Sequence, residues 1–117
     1  MTAAAAIGRA IGRPPVHLFR FPYGSSDSAR LALVNRLGYT AVGWTVDTLG
    51  WMGTSQRQTV DGVIARVLGH LEPGEIILMH VGANPSDHST LDADALPAVI
   101  AGIRARGYTF TTLAAFL

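Results

Sequence analysis

Short apolar runs alternate with amphipathic segments along all 117 residues, and this predicts an α/β chain of repeated strand–helix units. Two observations fix that class. Val60, Val63, Ile64, Val67, Leu68 and Leu71 follow the i, i+3, i+4, i+7 spacing of a helix with one buried face. The run IILM, residues 76–79, is continuously apolar, as a parallel strand covered on both faces must be.

In chain order, the alanine-rich first dozen residues have helix-forming composition, and VHLF (16–19) reads as the first strand. A helix is expected from Ser26 or Asp27 to Gly38, burying Leu31, Val34 and Leu37. TAVGWTV (40–46) is the second strand. The periodic helix follows, with Thr59 as its expected N-cap and Pro73-Gly74 beyond its end. EIILMH (75–80) is the third strand. A last helix is expected to bury Leu96, Val99, Ile100 and Ile103 before Gly107, with Pro97 tolerable only in its first turn. YTFTTL (108–113) closes the series as a fourth strand. No repeat or linker divides the chain, so residues 1–117 read as one structural unit with right-handed crossovers. A sheet of about four strands is small, and its edges need covering.

Composition excludes several partner classes. All nine basic residues are arginines, scattered singly, and the formal net charge is +1, which argues against nucleic acid and anionic membrane surfaces. Cysteine is absent, which removes disulfides and thiolate metal sites. Glycines and arginines interrupt the N-terminal alanines before they form a signal-peptide core, and no apolar stretch is long enough for a membrane helix; the chain is expected to carry no export address.

In α/β folds functional groups gather at the carboxyl ends of strands. Here those ends offer Arg20, Pro22 and Tyr23 after the first strand, Asp47 and Trp51 after the second, and His80 after the third. His80 can exchange protons near neutral pH, and a neighbouring carboxylate such as Asp47 would hold one tautomer and suit it to general-acid work. Arg20 offers a planar fork for a carboxylate or another anion, so an acidic partner is expected opposite it. The Pro22–Gly24 turn could aim a backbone N–H at an oxyanion, and Tyr23 and Trp51 present flat faces suited to sugar rings. Each has a structural alternative: a satisfied strand-end histidine, a buried ion pair, core aromatics such as Trp44. His17, His70 and His88 are read as structural or solvated, and Asp87-His88 as too weak for a metal site.

The ordered segments FRFPYG (19–24), VGWTVDTLGW (42–51) and GEIILMH (74–80) resemble the third, fourth and fifth motifs of the polysaccharide deacetylases, carbohydrate esterase family 4 or NodB-homology domain. The tail LPAVIAGIRARGYTFTTL (96–113) resembles that family's last helix and strand, so the likeness covers essentially the whole chain, 1–117. The resemblance implies a partial (β/α) barrel, the C-terminal half of a distorted NodB-like barrel. It further implies removal of N- or O-acetyl groups from a polysaccharide such as peptidoglycan, chitin or xylan, with zinc or another divalent metal bound. Carried over by position, Arg20 would orient the catalytic-base aspartate. Pro22 and Tyr23 would shape the groove, with the Tyr23 amide in the oxyanion hole. Trp51 and Leu78 would line the acetyl pocket, Asp47 would tune the histidine, and His80 would protonate the leaving amine.

Two departures limit what the resemblance implies. Gly50 stands where the fourth motif often has an acid, which weakens the tuning role of Asp47. Neither an Asp-Asp pair nor a His-x-x-x-His motif occurs, so the family's base and metal ligands are missing. The chain alone is therefore expected to be inactive and to hold no metal; Met1 falls inside the family domain, as in a truncated gene, a late start or a fragment. Two further expectations stand beside this one. A non-catalytic carbohydrate-binding or scaffold module would keep sugar affinity without acetate release. Self-association is also expected, because a half-barrel would leave Val46, Ile76 and Leu78 short of partners. The resemblance points to a site of action outside the cytoplasm, on walls or extracellular polysaccharide. An unrelated α/β enzyme fits less well, with no Gly-rich phosphate loop and no serine elbow.

Overall fold

The computed structural model describes residues 2–117. The chain forms two compact units, one running to Gly43 and taking in Thr112–Leu117, the other Trp44–Thr111.

In the first unit, helix α1 (Ala3–Ile11) is capped by Thr2, whose hydroxyl accepts the Ala5 N–H at 3.2 Å. Strand β1 (Leu18–Phe19) leads into a one-turn 3-10 segment, Pro22–Gly24. Helix α2 (Ser28–Arg36) begins at Asp27, whose carboxylate accepts the Arg30 N–H at 2.8 Å. Strand β2 (Thr40–Ala41) then pairs in parallel with β1, Leu18 opposite Thr40. Of the residues expected inside on this segment, Val34 is buried, whereas Leu31 and Leu37, the latter capping the end of α2, are exposed.

The second unit repeats the pattern. Strand β3 (Val46–Asp47) is followed by α3 (Val60–Gly69) and by β4 (Ile77–Leu78), which pairs in parallel with β3, Val46 opposite Ile77. Thr59 caps α3 by accepting the Gly62 N–H at 3.0 Å, as its position predicts. Helix α4 (Leu91–Ala105) packs on α3, and Val63, Val67, Leu91, Ala95, Val99 and Ile103 form the core between them.

Several expectations need correction. The run TAVGWTV is not one strand; it breaks around Gly43 into β2 and β3, which belong to separate two-stranded sheets instead of one four-stranded sheet. Helix α4 starts at Leu91, so Pro97 lies beyond its first turn, and the i−4 carbonyl of Ala93 lacks the usual N–H donor. The buried face runs through Leu91, Ala95, Val99 and Ile103 at i, i+4 spacing, while Leu96 is exposed. YTFTTL forms no strand; Tyr108 packs against the core and Phe110 lies under the Arg104 guanidinium at 5.8 Å. Val46 and Leu78, expected to lack partners, are buried.

Candidate functional site

The second unit carries a polar cluster at the carboxyl ends of its two strands. Parallel register brings those ends side by side, and the Thr48 N–H donates to the Leu78 carbonyl at 3.2 Å. Thr48 is fully buried, yet each of its polar groups has a partner. Its hydroxyl donates to Asp92 Oδ1 at 2.7 Å and accepts the Gly50 N–H at 3.3 Å, while its carbonyl accepts from Arg66 of α3 at 2.8 Å. Arg66 also donates to Gln58 Oε1 at 3.0 Å, which ties α3 to the loop after β3.

His80 stands two residues beyond β4, with its side chain 38% exposed. Its backbone N–H donates to Asp92 Oδ2 at 2.7 Å, and its ring Nδ1 lies 3.6 Å from the same oxygen. The second distance is too long for a hydrogen bond, and Nδ1 is buried without a hydrogen-bond partner. Asp92 itself is almost completely buried in the first turn of α4. Thus the carboxylate that the structure records against the His80 ring is that of Asp92. Asp47, in the same strand-end cluster, accepts the Leu49 N–H at 2.9 Å in a local turn.

Trp51 lies on a 3-10 turn (Gly50–Met52), half exposed, with its ring 6.3 Å from the His80 ring and tilted 52° to it. Asn84 fixes this turn from the far loop, donating to the Trp51 carbonyl at 2.8 Å. That loop is braced by Asp87, which accepts from Ser55 N–H at 2.6 Å and Ser89 N–H at 2.9 Å. The Ser89 hydroxyl first, and these two N–H groups after it, hold the Asp87 carboxyl far below the usual carboxylate range. Leu78, the last residue of β4, is buried. The structure therefore brings Asp47, Trp51, Leu78 and His80 into one unit and adds Asp92 and Thr48, which sequence reasoning missed. Asp92 gave no signal in the sequence, because a last helix with Pro97 in its first turn leaves residue 92 outside it; the structure starts α4 at Leu91 and so places Asp92 in its first turn.

Arg20, Pro22 and Tyr23 belong to the first unit. Arg20 is exposed just after β1, and no acidic side chain pairs with it among the described residues. Tyr23 adopts φ 57°, ψ 13°, left-handed backbone for a non-glycine residue, and its side chain is fully exposed. The turn around it is held by Gly24 N–H to Phe21 carbonyl at 3.0 Å and Ser25 N–H to Pro22 carbonyl at 3.1 Å. Among the described residues no three His, Asp or Glu side chains gather as metal ligands, so these residues do not fit the divalent metal that the resemblance implies. No helix among them is long and apolar enough to cross a membrane.

No family model matches the chain. It is similar to a chitooligosaccharide deacetylase of Azorhizobium caulinodans, 32% identical over 110 residues that cover 87% of this chain and 50% of that protein. Among solved structures, a peptidoglycan N-acetylglucosamine deacetylase superposes with TM-score 0.80 at 29% identity, covering 96% of this chain and 49% of that one. A family 4 carbohydrate esterase from Streptomyces lividans, in complex with acetate, gives TM-score 0.75 at 27% identity over 94% of this chain and 51% of its own. The chain spans 50%, 36% and 54% of the length of the first three curated relatives it matches. Sequence identity and backbone superposition agree, and the chain belongs to the polysaccharide deacetylases of carbohydrate esterase family 4 as a partial NodB-type domain.

Proposed function

We propose that this chain supplies the proton-donating side of a polysaccharide deacetylase site, acting on an N- or O-acetylated glycan, and that hydrolysis needs groups beyond those in its sequence. One observation carries the reading: His80 stands at the end of β4, partly open to solvent, backed by the Asp92 carboxylate and flanked by Trp51. An amine leaves an acyl carbon readily only once protonated, and an imidazole so placed can deliver that proton. The half-exposed Trp51 ring offers an apolar wall to a sugar or acetyl group. In the roles that the resemblance implies, the left-handed Tyr23 turn would present its amide to the oxyanion and Arg20 would orient a carboxylate.

The names of the relatives support the substrate class, peptidoglycan or chitin oligomers. The TM-score of 0.80 over 96% of the chain supports reading the two βαβ units as the C-terminal half of a distorted (β/α) barrel. In this family the metal activates water; the described residues form no holder for it, so the chain alone is expected to bind glycan without releasing acetate. Self-association is part of the same proposal, supported by exposed Ile7, Ile11, Leu33 and Leu37 in the first unit. Sedimentation that stays monomeric at rising concentration would remove that part.

N-acetylglucosamine oligomers titrated into the purified chain test the main reading, with the Trp51 indole followed by NMR and acetate assayed with added zinc or cobalt. The expected result is a saturable shift of the Trp51 indole and of the neighbouring backbone amides, the amide shifts being lost in Trp51→Ala, and no acetate. No shift with chitin, peptidoglycan or xylan oligomers would sink the glycan site. Metal-dependent acetate release abolished by His80→Ala would show instead that this chain builds a complete centre.

A further inference from the structure

We propose that Asp92 is the positioning residue of His80, and that Gly50 lacks a side chain because the Asp92 carboxylate occupies the space it would fill. The proposal deepens the reading of His80 as the proton donor and takes its functional meaning from it.

The carboxylate is anchored on two sides. Oδ1 accepts from the Thr48 hydroxyl and Oδ2 from the His80 backbone N–H, each at 2.7 Å. A carboxylate has about four acceptor positions, so room remains on Oδ2 for a third donor. The nearest unmet donor is the His80 ring: Nδ1 is buried, without a hydrogen-bond partner and 3.6 Å away. An approach of about 0.4 Å brings that distance within hydrogen-bond range. Because Nδ1 is buried while the side chain keeps 38% of its exposure, the accessible part of the ring lies elsewhere. A proton fixed on Nδ1 leaves Nε2 as the nitrogen that gains and releases a proton, which is what a general acid at this position requires.

The backbone shows why this acid comes from α4. A Cβ built on Gly50 would overlap Asp92 Oδ1 and lie 2.6 Å from its Cγ. Residue 50 stands in the turn beside Thr48, and residue 92 reaches the same volume from a separate helix. Side chains at 50 and 92 therefore compete for one place, and a carboxylate can be delivered there from either.

The test reads the tautomer of the His80 ring from its two 15N shifts in the purified chain at alkaline pH. Wild type is expected to show one tautomer, protonated on Nδ1. Asp92→Asn keeps the size of the side chain but replaces one acceptor by a donor, and is expected to lose that single-tautomer signature while the backbone amide spectrum remains dispersed. Asp92→Ala should lose it too, and Gly50→Asp combined with Asp92→Ala should restore it. Unchanged ring shifts in Asp92→Asn would reduce Asp92 to a structural anchor and overturn the proposal. A double variant that folds but keeps the averaged signature would overturn the exchange between positions 50 and 92. No glycan or metal enters this measurement, so its failure is distinct from failure of sugar binding at Trp51.

Discussion

The two units share a plan, strand, helix and parallel strand, but differ in what they bury. In the second, α4 covers α3, and six apolar side chains close into a core. In the first, Val34 is buried, at 9% exposure, while Ile7, Ile11, Val16, Phe19, Leu31, Leu33 and Leu37 remain open. A βαβ crossover pairs its strands without help, but its helix has a second apolar side that needs a further layer. The polar cluster at Thr48, His80 and Asp92 lies in the unit that has such a layer. The helix that completes the core also delivers Asp92, so packing and site geometry share α4.

The sharpest test of this contrast pairs one substitution from each unit. Ile103→Ala removes a side chain 3% exposed in the α3–α4 core and is expected to cost about 2–5 kcal/mol. Leu37→Ala, at a site 65% exposed, should stay within about 0.5 kcal/mol. Urea unfolding of the purified chain measures both. Similar costs would mean that the first unit is covered in solution, as the proposed self-association requires, and dilution should then shrink the cost at Leu37.

The same contrast explains what could be read from sequence. Helix α3 was legible because its apolar period, its Thr59 cap and its core all agree. The start of helix α2 was legible only to Ser26 or Asp27, of which Asp27 is the cap, and its apolar residues suggested more burial than the first unit provides. YTFTTL has strand composition, yet a strand requires a partner edge, and none pairs with it among the described residues. At the site, His80 and Trp51 stood out because strand ends mark functional positions, whereas Leu78 entered only through the resemblance to the deacetylases. Asp92 did not, because its link to His80 spans 12 residues and its link to Thr48 spans 44, and nothing local records either. Gly50 was visible as a missing acid, but its meaning depends on the side chain that enters from α4.

A smaller, local effect should appear in the loop that braces Trp51. Asp87 titrates well below the ordinary carboxylate value of about 3.9 because it accepts from Ser89 and Ser55. A folded value lowered in this way contributes stability that is present above the unfolded value and is lost as pH falls through the folded one. The Ser55 and Ser89 amide resonances should therefore hold their positions through mild acid and move only at strongly acidic pH. In Asp87→Asn that acid transition should vanish. The same acid transition in the variant would assign it to another group.

The smallest expected effect compares one backbone state in the two units. Tyr23 and Leu49 both adopt the left-handed region, at φ 57° and 58°. Tyr23 is fully exposed, so Tyr23→Gly removes the strain of a non-glycine residue there and almost no packing, with only the greater freedom of the unfolded chain opposing it. A gain of roughly 0.5–1 kcal/mol is expected. Leu49 is half-buried beside Thr48, and its N–H is held by Asp47 at 2.9 Å, so Leu49→Gly loses contacts as well as strain and should not stabilise. If Tyr23→Gly proved destabilising, the exposed ring would have to be packed against something in solution. The glycan titration, repeated with that variant, would then show whether the stability change accompanies a loss of sugar binding.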